Sequence, residues 1–145
     1  MPVPAFRLLS CLAAVALAAP ALAQEAKPKT IYELFGVKEP GLRGPELEAA
    51  VKAAEAFPLG SEKNPVRAKG ISGERAYLAG LRCSDGAAPD ILGRGIGMPS
   101  PFGGVTDVYG VACKGGEPAT ARIAIDMYHD WVEVRPVPGF TFALR

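Results

Sequence analysis

One histidine, one tryptophan and three cysteines are the whole supply of those residues in a chain of 145. That scarcity argues against a histidine-rich metal site, and no Cys-x-x-Cys spacing supports a zinc or dithiol redox motif. Any histidine-dependent mechanism has to run through His129. Charge of one sign is lacking as well: 16 Lys and Arg stand against 15 Asp and Glu. Such a chain has no bulk electrostatic reason to bind nucleic acid or an anionic membrane. There is no Gly-x-Ser-x-Gly elbow, no Gly-Lys-Ser/Thr phosphate loop and no Asp-x-Asp calcium loop. No cofactor and no metal are expected.

Long apolar runs are missing too, except at the start. Met1–Ala23, MPVPAFRLLSCLAAVALAAPALA, has the form of a secretory signal peptide. Arg7 supplies its positive region, Leu8–Ala19 its apolar run, and Ala21-Leu22-Ala23 a small-x-small cleavage site preceded by the helix breaker Pro20. The run is short for a bilayer span, and no later segment is apolar enough to make one. Leu8-Leu9-Ser10-Cys11 loosely resembles a lipidation box, but the apolar run lies after the cysteine instead of before it. The expected location is periplasmic or secreted. Loss of the leader removes Arg7 and Cys11, leaving fifteen basic against fifteen acidic residues and two cysteines. Cys83 and Cys113 are then expected to pair in an oxidising compartment. Closing a loop of roughly 30 residues stabilises by about 3–4 kcal/mol in the chain-entropy picture.

Residues 24–44 read as a polar extension with one short helical turn, from the capping-box pattern Thr30-Ile31-Tyr32-Glu33 followed by Leu34-Phe35 and Gly36. Residues 45–145 read as a single α+β domain. Pro45–Ala56 is the expected main helix. Pro45 suits its first position, and Leu47, Ala50, Val51 and Ala54 make one apolar face. Residues 60–73 look like turns. Strands are expected at Glu74–Cys83, at Asp90–Arg94, at Val105–Cys113 and at Ala121–His129, with a final edge strand or docked tail from Val137. Gly93–Gly104, dense in glycine and proline, reads as an irregular crossing loop. Pairing Cys113 with Ala121 sets Val111 opposite Ile123 and Tyr109 opposite Ile125. The fold expected is one main amphipathic helix on an antiparallel sheet of four to five strands, with one disulfide.

Polar and aromatic residues concentrate in Asp126-Met127-Tyr128-His129-Asp130-Trp131 and close with Glu133. In the expected register Asp107 and His129 share a face. An Asp–His pair formed with Asp107, Asp126 or Asp130 could orient a general base, although no nucleophile is placed beside it. Arg67 could form an ion pair or bind an anion. Arg94 and Phe102 sit in the glycine-rich stretch, where loops commonly carry binding, and Trp131 is a fourth candidate contact.

Four phrases together resemble a family of small secreted, periplasmic proteins of Gram-negative bacteria whose function is unknown: LGSEKNPVRA (59–68), GERAYLAGLRCSDG (73–86), PFGGVTDVYGVAC (101–113) and MYHDWVEVRPVPGF (127–140). The resemblance spans most of the chain after residue 23 and both remaining cysteines. It implies a compact exported domain and brings no catalytic residues. The functions open to such a chain are a non-enzymatic module binding a protein or small molecule in the cell envelope, a small hydrolase or lyase built on His129, or a structural factor of the envelope.

Overall fold

A computed structural model describes residues 41–143. The expected leader at 1–23 and the helical turn near Thr30–Phe35 lie outside the described residues. No helix among the described residues is long and apolar enough to cross a membrane.

The first helix, α1 (Gly44–Ala54), forms close to where its pattern predicts. Arg43 at its N-cap is extended and makes no capping side-chain bond. Pro45, Glu46 in the first turn and Lys52 in the last turn do the local work. Only Ala54 of its apolar face is fully buried, while Leu47, Ala50 and Val51 are half-buried.

The expected strand at 74–83 is instead a second helix, α2 (Gly70–Gly80), so there is no single main helix. The physical reason is in the spacing. Gly73, Glu74, Tyr77 and Leu78 are the buried residues of α2, which is a helical stripe and not an alternating one. Glu74, Arg75, Ala76, Leu78 and Ala79 are also good helix formers. Close packing explains Gly73: a Cβ there would stand 3.1 Å from Val132 Cγ2.

The supposed turn region contributes a two-residue strand, β1 (Val66–Arg67), just before α2. After α2 come β2 (Leu81–Arg82), β3 (Asp90–Pro99), β4 (Val105–Ala112), β5 (Thr120–Asp126) and β6 (Thr141–Phe142). Four strands make the main sheet in the order β1-β5-β4-β3, and β2 pairs with β6 in a small second sheet. The main sheet is not wholly antiparallel, because β1 runs parallel to β5. The glycine-rich stretch corrects another expectation, since its first half is strand β3. Glycines 93, 95 and 97 alternate with Arg94, Ile96 and Met98, so a period of two was hidden by the absence of side chains on one face. Gly97 has to be glycine: a Cβ would come within 2.8 Å of Val108 Cγ2.

Between β4 and β5 the register is Tyr109↔Ile123 and Val111↔Ala121, two residues from the expected one. Each residue keeps its face, because side chains alternate with period two. Tyr109, Val111, Ile123 and Ile125 therefore meet Tyr77, Leu78 and Leu81 in the core, joined by Val66, Val137 and Phe140. The C-terminal segment is a docked tail whose strand β6 joins β2 and not the main sheet.

Cys83 and Cys113 form the expected disulfide, with Cα atoms 5.9 Å apart. The bridge ties the exit of α2 and β2 to the end of β4. Replacing both cysteines by serine should cost about 3 kcal/mol and lower the melting temperature by roughly 15 °C. A calorimetric shift of only a few degrees would contradict that role for the crosslink.

Candidate functional site

The register places Arg67 opposite Asp126, and Asp126 opposite Thr106, on the sheet face away from α2. Arg67 is almost wholly buried. Its Nη2 donates to Glu133 Oε2, and the backbone N–H of Glu133 donates to the carbonyl of Arg67 at 2.8 Å. Glu133 is then saturated. Its Oε1 accepts from the backbone amides of Val134 and Arg135 and from Arg135 Nε, at 3.0, 3.2 and 3.1 Å. Burial alone would raise the Glu133 carboxyl. The hydrogen bonds from Arg135 and the charges of Arg67 and Arg135 outweigh it and hold the group down to about 2.

Two aromatic rings flank the same guanidinium. The Arg67 Cζ lies 5.3 Å from the Phe102 ring centre and 5.1 Å from that of Trp131. Phe102 is buried, and Trp131 remains 45% exposed over the cluster. His129, also buried, sets its ring edge-on to Phe102 at 5.6 Å. Its Nε2 faces Asp126 Oδ2 at 3.5 Å, short of a formed hydrogen bond. The other carboxylate oxygen of Asp126 accepts from the Tyr128 amide at 3.0 Å. Gly104 makes room for this group, since a Cβ there would lie 3.0 and 3.1 Å from the two Asp126 oxygens. Five candidates from the sequence, Arg67, Phe102, Asp126, His129 and Trp131, thus gather in one buried cluster.

The other candidates lie elsewhere. Asp130 is 81% exposed and bonds Arg43 at 2.7 Å. Asp107 is not beside His129, because β5 ends at Asp126 and the register differs by two residues. It belongs to a second cluster, where Arg94 Nη2 donates to Asp107 Oδ2 at 2.5 Å. Glu74 on α2 completes that cluster, accepting from the Tyr109 hydroxyl at 2.8 Å and lying 4.0 Å from Arg94 Nε. Glu74 is fully buried and its Oε1 has no hydrogen-bond partner. Burial first, and then the neighbouring Asp107, push its carboxyl up to about 7 against the opposing pull of Tyr109 and Arg94. Burial and the bond to Glu74 in turn raise the Tyr109 hydroxyl to about 12.

Glu74, Tyr109 and Arg135 were not singled out from the sequence as site residues, whereas Glu133 stood at the end of the polar and aromatic run that begins at Asp126. The signal for Glu74 is a glutamate inside the apolar stripe of a helix, visible only once the segment is read as helical. The signal for Glu133 and Arg135 is an acid–base pair two residues apart in an otherwise apolar segment. Among the described residues no group of three or more His, Cys, Asp or Glu side chains is placed to hold a metal ion.

Beside Glu133 lies a cleft of about 600 Å³, lined mainly by Ala76, Tyr77, Val132, Val134 and Phe142. The Tyr77 hydroxyl donates to the Arg135 carbonyl at 2.9 Å, and the Tyr77 ring meets Phe142 edge-on at 5.3 Å. A second hollow of about 470 Å³ lies between α1 and residues 99–101. No family model matches the chain, and no curated protein or solved structure matches it either.

Because the Glu74 carboxyl is raised, its contribution to stability is complete below pH 4.5 and is lost as pH rises through about 7. The full swing is on the order of 3 kcal/mol. Glu133 acts in the opposite sense, contributing above pH 4.5 and losing that contribution as pH falls toward about 2. Denaturant melts from pH 4.5 to about 8 should show stability declining in the protein and a flat profile in Glu74→Gln. Equal slopes in the two proteins would refute the assignment.

Proposed function

We propose that the chain is an exported, non-enzymatic binding module of the cell envelope, and that the cleft between α2 and residues 132–134 takes an apolar ligand or an apolar side chain of a partner. The observation that carries this reading is the cleft itself. It has the volume of a small-molecule site, an apolar lining, and one charged residue with a strongly shifted carboxyl. That carboxylate is already committed to Arg67 and Arg135, so it is not free to act as an acid or base. It serves instead as a rigid polar wall.

The hydrolase or lyase reading has less support. His129 is 6% exposed and lines neither hollow, so a substrate meets no accessible base there. Of the two aromatic candidate contacts, Phe102 is buried and Trp131 alone is exposed. Export is supported by the disulfide and by the signal-like residues 1–23. The resemblance to small periplasmic proteins points the same way.

The fluorescent probe 8-anilinonaphthalene-1-sulfonate tests the cleft. Ala76 is exposed on α2 and lines the cleft, so Ala76→Phe fills it without touching the core. Probe affinity should fall about tenfold or more in that variant. Unchanged affinity, with the melting temperature preserved, would exclude the cleft as the binding surface.

A further inference from the structure

Strand β3 is the last in the order β1-β5-β4-β3, so one of its edges has no neighbouring strand among the described residues. Edge strands are normally shielded by shortness, by charge, by proline, by bulges or by a covering segment. β3 spans ten residues, carries its only proline at the final position, Pro99, and is bulged only outside its central run Gly93–Ile96. Its two charged side chains are engaged within the chain. Asp90 pairs with Lys114 at 2.9 Å, and Arg94 is held by Asp107. What remains toward solvent is apolar: Ile91, Leu92, Ile96 and Met98 are 48, 64, 67 and 55% exposed. Met98 turns its amide and carbonyl to Thr106 Oγ1 at 3.1 and 3.0 Å, but the outer edge from Gly93 to Ile96 meets no strand among the described residues, and with the exposed apolar side chains beside it that edge can accept another strand.

We infer that the occupant is the β3 of a second copy of this chain, paired antiparallel across a two-fold axis at Gly95. The sequence around that residue is self-complementary. With Gly95 opposite Gly95, Gly93 faces Gly97, Leu92 faces Met98, and Arg94 faces Ile96. No charge is set against its own copy, and large apolar side chains meet across the seam. The central run Gly93–Ile96 is the regular part of β3, since the register shifts against β4 fall on either side of it. An added Cβ at Gly93 or Gly95 would meet nothing within 4 Å, so one sheet face is open at the axis. The two four-stranded sheets become one continuous sheet, and both free β3 edges disappear. A seam of one strand pair lies at or below the small end of the about 1,200–2,000 Å² buried by stable interfaces, so the dimer dissociates on dilution. This pairing does not depend on the cleft beside Glu133, which lies by α2 and β6.

Sedimentation velocity from about 1 to about 500 µM, together with a cysteine placed on the axis, tests the inference. The protein should shift from monomer to dimer over that range, and Leu92→Lys/Ile96→Lys should remain monomeric with an unchanged melting temperature. Across an antiparallel pair the two Gly95 Cα atoms would stand about 4.5–5.5 Å apart, within disulfide reach. Gly95→Cys should therefore crosslink into a covalent dimer under mild oxidation, while the exposed control Ser72→Cys should not. A monomer at every concentration would overturn the inference. So would a dimer that persists in the lysine variant, or equal crosslinking of the two cysteine variants. Ala76→Phe should leave the dimer intact, so loss of probe binding and loss of dimerisation remain distinguishable.

Discussion

The ion pair between Arg67 and Glu133 is the contact on which the arrangement of the other parts turns. Both side chains are withdrawn from water, and an isolated charge in such a place costs several kcal/mol. The cost is offset because neither group is isolated. Glu133 collects donors from Arg67, Arg135 and two backbone amides, while the Arg67 guanidinium rests against two aromatic rings. The backbone repeats the link. Residues 127–133 run beside 67–70, with Ala68 donating to Asp126, Gly70 to Met127, His129 to Ala68 and Glu133 to Arg67. A strand of only two residues is thereby held in the sheet. The segment carrying His129, Trp131 and Val132 is fixed over it, and Val132, Glu133 and Val134 become one wall of the cleft.

The sheet then works with two unlike faces. Toward α2 it is apolar apart from Asp107 and Arg94, which meet Glu74 and Tyr109 at the margin of the core. Toward residues 100–104 it presents Arg67, Asp126 and Thr106, covered by the ring of Phe102 and by His129. Tight turns make this covering possible. Ser100 donates to Gly104 at 2.8 Å, and Gly103 adopts a φ of 85° that side-chain-bearing residues rarely take. Arg67, Asp126 and His129 are thus shut inside the molecule, while the cleft and the β3 edge are lined mainly by apolar side chains.

The parts legible in the sequence were those whose pattern is local. Leu47, Ala50, Val51 and Ala54 mark α1 by helical spacing, and the alternation of β4 and β5 marks their faces even where the register is off by two. The disulfide followed from there being two cysteines after residue 23. α2 was taken for a strand because Tyr77, Leu78 and Leu81 are bulky residues that suit one. β3 was legible at its start, Asp90–Arg94, but its continuation to Pro99 was hidden because glycine occupies every second place there, so there was no polar face to alternate with. That Arg67 could form an ion pair was legible, but its partner was not. Arg67 and Glu133 are 66 residues apart, and only the parallel pairing of β1 with β5 and the return of the chain past Asp126 bring them together.

A double-mutant cycle on the buried pair tests this account most directly, with unfolding free energies measured for Arg67→Met, Glu133→Leu and the double variant. Glu133→Leu should cost about 3–5 kcal/mol by leaving Arg67 buried without a counter-charge, Arg67→Met should cost less because Glu133 keeps its bonds from Arg135 and two backbone amides, and the double variant should cost clearly less than the two single costs added. Single-variant costs that add to within about 0.5 kcal/mol would contradict it, because the two residues would then act independently.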